Sequence, residues 1–154
     1  MSKEFLHSSG KFYISTNVEE FDMEQVHRWL SVDAYWSEGI PFELVNRAFR
    51  NALSFGIYRE DATQIGMARM ITDRATFGYL ADVFLVPEER GQGLAKWLMD
   101  VVMSHPELSG LRRTMLATRD MHPLYKQYGF KNVEGHPLLM EITVPDIYKK
   151  TAKS

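Results

Sequence analysis

The chain has no cysteine. Disulfides, a thiolate zinc site and a cysteine nucleophile are excluded together. Group transfer must then run through another nucleophile or directly between two bound substrates. Neither sign of charge is in excess, with a net of −2 over 154 residues. That leaves no electrostatic footprint for DNA, RNA or an anionic membrane as the main partner. No apolar run approaches the ~20 residues that span a bilayer. The opening MSKEFLHSSGKF has no apolar stretch of the signal-peptide kind. These absences lead to the expectation of a cytoplasmic protein that binds neither nucleic acid nor membrane. His7, His27, His105, His122 and His136 show no H-E-x-x-H spacing, so no metal is expected.

Hydrophobic residues make up 45% of the chain and charged residues 25%, as in ordinary globular domains. The length suits one core and is short for two, so a single domain over residues 1–154 is expected. KFYISTN (11–17) reads as a strand. Residues 22–32 and 41–53 carry apolar side chains at helical spacing, the second stretch opening on a proline. The period then shortens. Runs 53–60, 64–72 and 76–86 read as strands joined by short polar turns. Leu94, Trp97, Leu98, Val101 and Val102 mark an amphipathic helix. RRTMLAT (112–118) is a further strand, Asp120 a candidate cap for a short helix ending at Gly129, and LLMEITV (138–144) a last strand before a loose tail. The pattern is α/β: hairpin strands first, then a crossover unit with at least one parallel pair.

PEERGQGLAKWLM (87–99) sets two glycines where a helix begins, immediately after an apolar strand. Glycine costs a helix about 1 kcal/mol relative to alanine. A helix N-terminus, however, presents unpaired N–H groups and partial positive charge, which suit an anion that can approach the backbone closely. Strand, glycine loop and helix together form a candidate pyrophosphate cradle. It is not a P-loop, because no G-x-x-x-x-G-K-[ST] string is present. Nor is it the G-x-G-x-x-G dinucleotide fingerprint, since Lys96 stands where the third glycine belongs.

Arg90-Gly91-Gln92-Gly93-Leu94-Ala95 does fit R/Q-x-x-G-x-G/A, and LYKQYGF (124–130) supplies a spaced L-Y-x-x-x-G-F. On these two segments the chain resembles the GNAT superfamily of acetyl-CoA-dependent N-acetyltransferases, and length and element order agree along its whole extent. The resemblance implies a mixed central sheet of about six to seven strands flanked by about four helices. It also implies direct transfer of an acetyl group from acetyl-CoA to a primary amine of a small molecule or peptide in a ternary complex. Backbone amides from Arg90 through Gly91, Gln92, Gly93, Leu94 and Ala95 to Lys96 would hold the pyrophosphate. Val83, Phe84 and Leu85 would pair with the pantetheine arm. Relatives often carry an asparagine seven residues before the tyrosine; Thr118 stands there, with a hydroxyl for the same contact. Tyr125 aligns with the proton-donating tyrosine, and Tyr128 reads as a packing residue.

Asp82 stands where relatives often carry an acid, and is the candidate base; Ala81 replaces the other half of a common Glu-Asp pair. The loop between the first two helices would shape the acceptor site, with Tyr35, Trp36 and Glu38 as an aromatic wall and one acid suited to a cationic amine. Glu38 acting through a water, or ordered water alone, are other routes for the amine's proton. His122 lies beside this site without an assigned role. Arg69, Arg74 and Arg119 are available to a carboxylate but carry no assignment from sequence. Two other readings use the same residues: a non-catalytic acyl-CoA-binding sensor, and a nucleotide-binding module. The resemblance leaves a homodimer open, and no segment marks an interface.

Overall fold

A computed structural model describes residues 3–133, 135 and 139–148. Six strands form one sheet in sequence order: β1 (Phe5–Leu6), β2 (Phe12–Ser15), β3 (Leu53–Arg59), β4 (Gln64–Thr72), β5 (Phe77–Leu85) and β6 (Arg113–Leu116). Neighbours are antiparallel except β5 and β6, which are parallel. Helices α1 (Met23–Arg28) and α2 (Phe42–Arg50) fall between β2 and β3; α3 (Leu94–Met103) makes the β5–β6 crossover, and α4 (His122–Lys126) follows β6. This is the mixed sheet with four helices that the sequence led us to expect.

The central strands are covered on both faces, so their side chains divide between two cores. Phe55, Ile57, Ala68, Met70 and Leu80 pack with Leu94, Leu98 and Met99 of α3 and with Tyr125 of α4. Tyr13, Tyr58 and Met67 pack with Val26, Trp29, Leu30, Val45 and Phe49 beneath α1 and α2. β3 is buried at six successive positions for this reason.

Three expectations are corrected. The helix expected over 22–32 ends at Arg28 and continues as one π-helical turn, Trp29–Asp33, closed by the Ala34 N–H on the Trp29 carbonyl at 2.8 Å. That wider turn redirects the chain into the loop before α2. Asp120 does not cap α4. The cap position is Met121, whose N–H donates to Thr118 Oγ1 at 3.0 Å, so the turn is closed from the other side. The last strand is not formed. Leu138 lies outside the described residues, and 139–144 is unpaired, with Met140 and Ile142 almost wholly exposed. Alternating apolar residues make a strand only where a neighbour offers a hydrogen-bonding edge, and none reaches this segment. The tail beyond Tyr148 also lies outside the described residues.

β5 carries the irregularity that shapes the rest of the molecule. Phe84 pairs with Met67 and Ala81 with Arg69, leaving Asp82 and Val83 opposite Ala68. The result is a β-bulge, and Asp82 takes a left-handed φ of 55° there. On its other edge β5 pairs with β6 only from Phe77 to Leu80. Past Leu80 the parallel ladder ends, and residues 81–85 run beyond it along a gap between β5 and β6, the slot referred to below.

Phe49 is fully buried on the inner face of α2, with the Arg69 guanidinium 5.6 Å from its ring centroid. Phe49→Ala should cost about 3–5 kcal/mol, read from urea unfolding; a loss below about 1 kcal/mol would contradict the packing described.

Candidate active site

The slot begins at the glycine loop. Gly91 and Gly93 have φ of 82° and 83°, and a β-carbon at either would meet nothing within 4 Å. These glycines therefore serve a left-handed backbone and an unobstructed approach, rather than a crowded turn. Gly93 sits at the α3 N-terminus, where no side chain caps the helix and no acidic residue lies in its first turn. The N–H groups of Leu94, Ala95 and Lys96 point out of the helix without a helical carbonyl to meet. α1, by contrast, is capped by Asp22 Oδ1 on the Gln25 N–H at 3.2 Å. Glu89 braces the loop: it accepts from Arg59 Nη2 at 2.9 Å and from Gln92 Nε2 at 2.6 Å. Arg90 folds back, donating from Nε to the Leu85 carbonyl at 2.8 Å, with its guanidinium 5.5 Å from the Phe84 ring centroid. The arrangement fits a pyrophosphate.

The end of β6, the following loop and α4 line a cavity of their own. Thr118 Oγ1 holds the α4 entry turn as an acceptor, and its own proton remains free to donate. Tyr125 is 8% exposed, lies edge-on to Phe130, and lines this cavity of about 600 Å³ with Thr118 and His122. Burial, then the nearby Asp120 charge, raises its pKa above the usual 10. The phenol therefore stays protonated throughout the neutral range, as a proton donor requires. Tyr128 does more than pack: its hydroxyl lies 2.9 Å from the Lys96 carbonyl and 2.5 Å from Asp100 Oδ1, tying the end of α4 to the first turns of α3.

At the bulge, Asp82 is fully engaged. Arg69 Nε donates to its Oδ2 at 2.8 Å, and the Trp36 indole N–H to its Oδ1 at 3.0 Å. The Arg69 and Asp82 side chains are 16% and 10% exposed. A carboxylate held by a guanidinium and an indole, with one donor on each oxygen, anchors the acceptor loop. The loop is built on the π-helical turn: Gly39 N–H donates to the Ser31 carbonyl at 3.0 Å, and the buried Ser37 hydroxyl to the Leu30 carbonyl at 2.7 Å. Tyr35 stands perpendicular to Trp36, and the Arg119 guanidinium carbon lies 3.6 Å from the Tyr35 ring centroid. Glu38 is exposed and bonds to no other site residue among the described residues. So Tyr35, Trp36 and Asp82 come together, with Arg69 and Arg119 added and Glu38 apart. Arg74 lies elsewhere, 3.1 Å from Glu107.

Residues 23–130 match the model of the Acetyltransferase (GNAT) family. The chain belongs to the GNAT acetyltransferase family. A Gibberella zeae protein, named provisionally as an acetyltransferase, is 34% identical over 145 residues, with 80% of this chain and 81% of that protein aligned. A crystal structure from Xanthomonas campestris pv. campestris, assigned provisionally to the same family, is 46% identical. It has a TM-score of 0.86 and covers 94% of this chain and 98% of its own. A Clostridium acetobutylicum structure with acetyl-CoA shares the fold at 17% identity and a TM-score of 0.62, over 86% of this chain and 94% of its own. The family uses acetyl-CoA, and the matched residues include the glycine cradle described above. Among the described residues, no helix is long and apolar enough to cross a membrane. Among the same residues, no group of three or more His, Asp or Glu could hold a metal ion.

Sequence reasoning missed Arg69 as the partner of Asp82 and Tyr128 as a tie between helices. Hairpin pairing across the turn at 73–76 places Arg69 near Asp82, but the bulge that aims the carboxylate at it has no sequence mark. Arg69→Met leaves Asp82 half-buried without its cation and should lower stability by about 2–3 kcal/mol. Thermal and urea unfolding measure it, and an unchanged midpoint would show that the pair does not hold the bulge.

Proposed function

We propose that this GNAT protein is an N-acetyltransferase that moves an acetyl group directly to a primary amine of a small molecule or peptide, with both substrates bound together. The observation that carries the reading is the unpaired β5 edge, with a bared helix N-terminus at one end and a buried, protonated tyrosine in the core that packs beside both. Acetyl-CoA supplies the acetyl thioester. The backbone N–H groups from Gly91 to Lys96 hold its pyrophosphate; the Arg90 N–H is already donated to the Pro87 carbonyl, and the Arg90 guanidinium adds a cation. The slot edge of Val83, Phe84 and Leu85 gives backbone donors and acceptors to the pantetheine arm, and the Thr118 hydroxyl donates from the opposite wall. Tyr125 gives a proton to the departing sulfur.

An alkyl amine with a pKa near 10 is about 99.9% protonated at pH 7 and must lose a proton before it attacks. Asp82 is committed to Arg69 and Trp36, so in this reading the amine loses its proton to solvent, and Asp82 positions the acceptor loop. Tyr35 and Trp36 form the wall against which the acceptor lies, with Glu38 at its outer rim.

Free-thiol release from acetyl-CoA across a panel of amines tests the reading, with no background from a protein that lacks cysteine. Amine-dependent release is the expected result; none from any amine, with acetyl-CoA shown to bind, would overturn the transferase in favour of an acyl-CoA sensor. Tyr125→Phe should lower kcat about 10²-fold with acetyl-CoA affinity unchanged; a kcat within twofold would remove Tyr125 as donor. Gly93→Val, strained at a left-handed φ and placing a side chain over the cradle, should abolish tight coenzyme A binding in a folded protein.

The pH profile follows from the same groups. With no protein base, log kcat/KM rises with unit slope up to the acceptor's own pKa and shifts from one amine to the next. The working form of Tyr125 is protonated and its pKa is raised, so activity falls only as pH climbs through that raised value. A fixed acidic limb common to all acceptors would instead reveal a titrating base on the enzyme.

A further inference from the structure

Five side chains bridge the mouth of the slot in series. Arg69 pairs with Asp82 at 2.8 Å, Asp82 accepts from the Trp36 indole at 3.0 Å, Trp36 meets Tyr35 edge-on at 5.1 Å, and Arg119 stacks on Tyr35 at 3.6 Å. The β5–β6 register pairs Leu80 with Leu116. Carried forward, it sets Thr118 level with Asp82 and Arg119 level with Val83, across the gap where the strands part. Arg119 therefore stands on the far wall of the slot and touches the acceptor loop on the near wall.

The two arginines of this series differ. The charge of Arg69 is matched by Asp82. Arg119 is exposed and forms no ion pair or hydrogen bond with any described residue. The Tyr35 face, expected from sequence to meet a cationic amine, already holds a cation. A second cation arriving there would meet like charge and an occupied ring face. The ring contact orders the guanidinium, and no described residue takes a hydrogen bond from its N–H groups. Those groups match a carboxylate or a phosphate with two parallel hydrogen bonds. Ordering by the ring also removes part of the entropy that a long, free arginine would lose on binding.

We infer that Arg119 binds an anionic group carried by the acceptor, so the substrate class is an amine that bears a carboxylate or phosphate. The inference rests on the transferase reading. Tyr35 is then a positioning residue for the Arg119 fork, and Trp36, pinned by Asp82, holds Tyr35 upright. The anion docks at the outer end of the slot, which leaves the amine to reach inward toward the slot edge of β5.

Thiol release with matched acceptors tests the inference: an amino acid and its carboxamide, an aminoalkyl phosphate and the corresponding amino alcohol, and a diamine. Rates are compared per unprotonated amine. Anionic acceptors should exceed their neutral partners in kcat/KM by 10- to 100-fold, with the diamine poorest, and the better of the two anionic acceptors identifies carboxylate or phosphate. In Arg119→Gln the ratio between anionic and neutral acceptors should collapse toward one, through KM rather than kcat. Arg119→Lys should restore part of it, and Tyr35→Leu should weaken it while Arg119 remains. Equal or better turnover of neutral or cationic amines by the unaltered protein overturns the inference and leaves the transferase standing. An unchanged ratio in Arg119→Gln also overturns it. Thiol release from no amine at all overturns the transferase reading and the inference with it. Because Arg119 is exposed, the variant should unfold at the midpoint of the unaltered protein, which separates recognition from folding.

Discussion

β5 pairs with β4 along nearly all its length, yet it offers its other edge to β6 only from Phe77 to Leu80. Backbone amides and carbonyls that leave a ladder must find other partners. An open edge of this kind is stable only where solvent or an extended ligand can complete it. Residues 81–85 are such an edge, and every site residue described above is placed relative to it. The glycine loop continues from its end, Asp82 sits at its bend, Thr118 and Arg119 follow β6 on the opposite wall, and Tyr125 lies in the core beside α3.

Two unlike environments flank this edge. On the α3–α4 side, an uncapped helix start and a buried phenol make a positively biased, partly apolar half suited to a pyrophosphate and a departing sulfur. On the α1–α2 side, the bulge turns Asp82 toward Arg69 and Trp36, and aromatic rings and guanidinium groups alternate. The bulge separates these roles. One extra residue in β5 aims a carboxylate at Arg69 and Trp36 while the strand keeps its place in the sheet. The strain of a left-handed aspartate is met by an ion pair and an indole hydrogen bond, both specific to that geometry.

The donor half was legible in the sequence because it is built from local signals. Glycines at 91 and 93, the apolar strand before them, and the amphipathic spacing from Leu94 to Val102 each state a backbone requirement over a few residues. Tyr125 was singled out through the resemblance carried by its spacing to Gly129 and Phe130, and the structure places it buried beside α3. The acceptor half was legible only in part. Tyr35 and Trp36 stood out as aromatics in a loop, but what they touch depends on residues 46 and 84 positions away. Periodicity does not reveal a bulge, a π-helical turn, or which arginine lies over which ring. The expected last strand shows the opposite failure. Its alternation is clear, but pattern cannot supply the neighbouring edge that a strand needs.

The acceptor loop is closed on itself by Gly39–Ser31 and Ser37–Leu30 hydrogen bonds, and it reaches the slot through side chains, Trp36 to Asp82 and Tyr35 to Arg119. No strand pairing joins it to β5 or β6. Its base is rooted in the core through Trp29, Leu30 and Ala34, and its outer residues 35–38 touch the described residues of the slot side only through these two side chains. New acceptors are then reachable by rewriting those outer residues while the donor half stays untouched, which gives selection a short path between chemically different substrates on one catalytic frame.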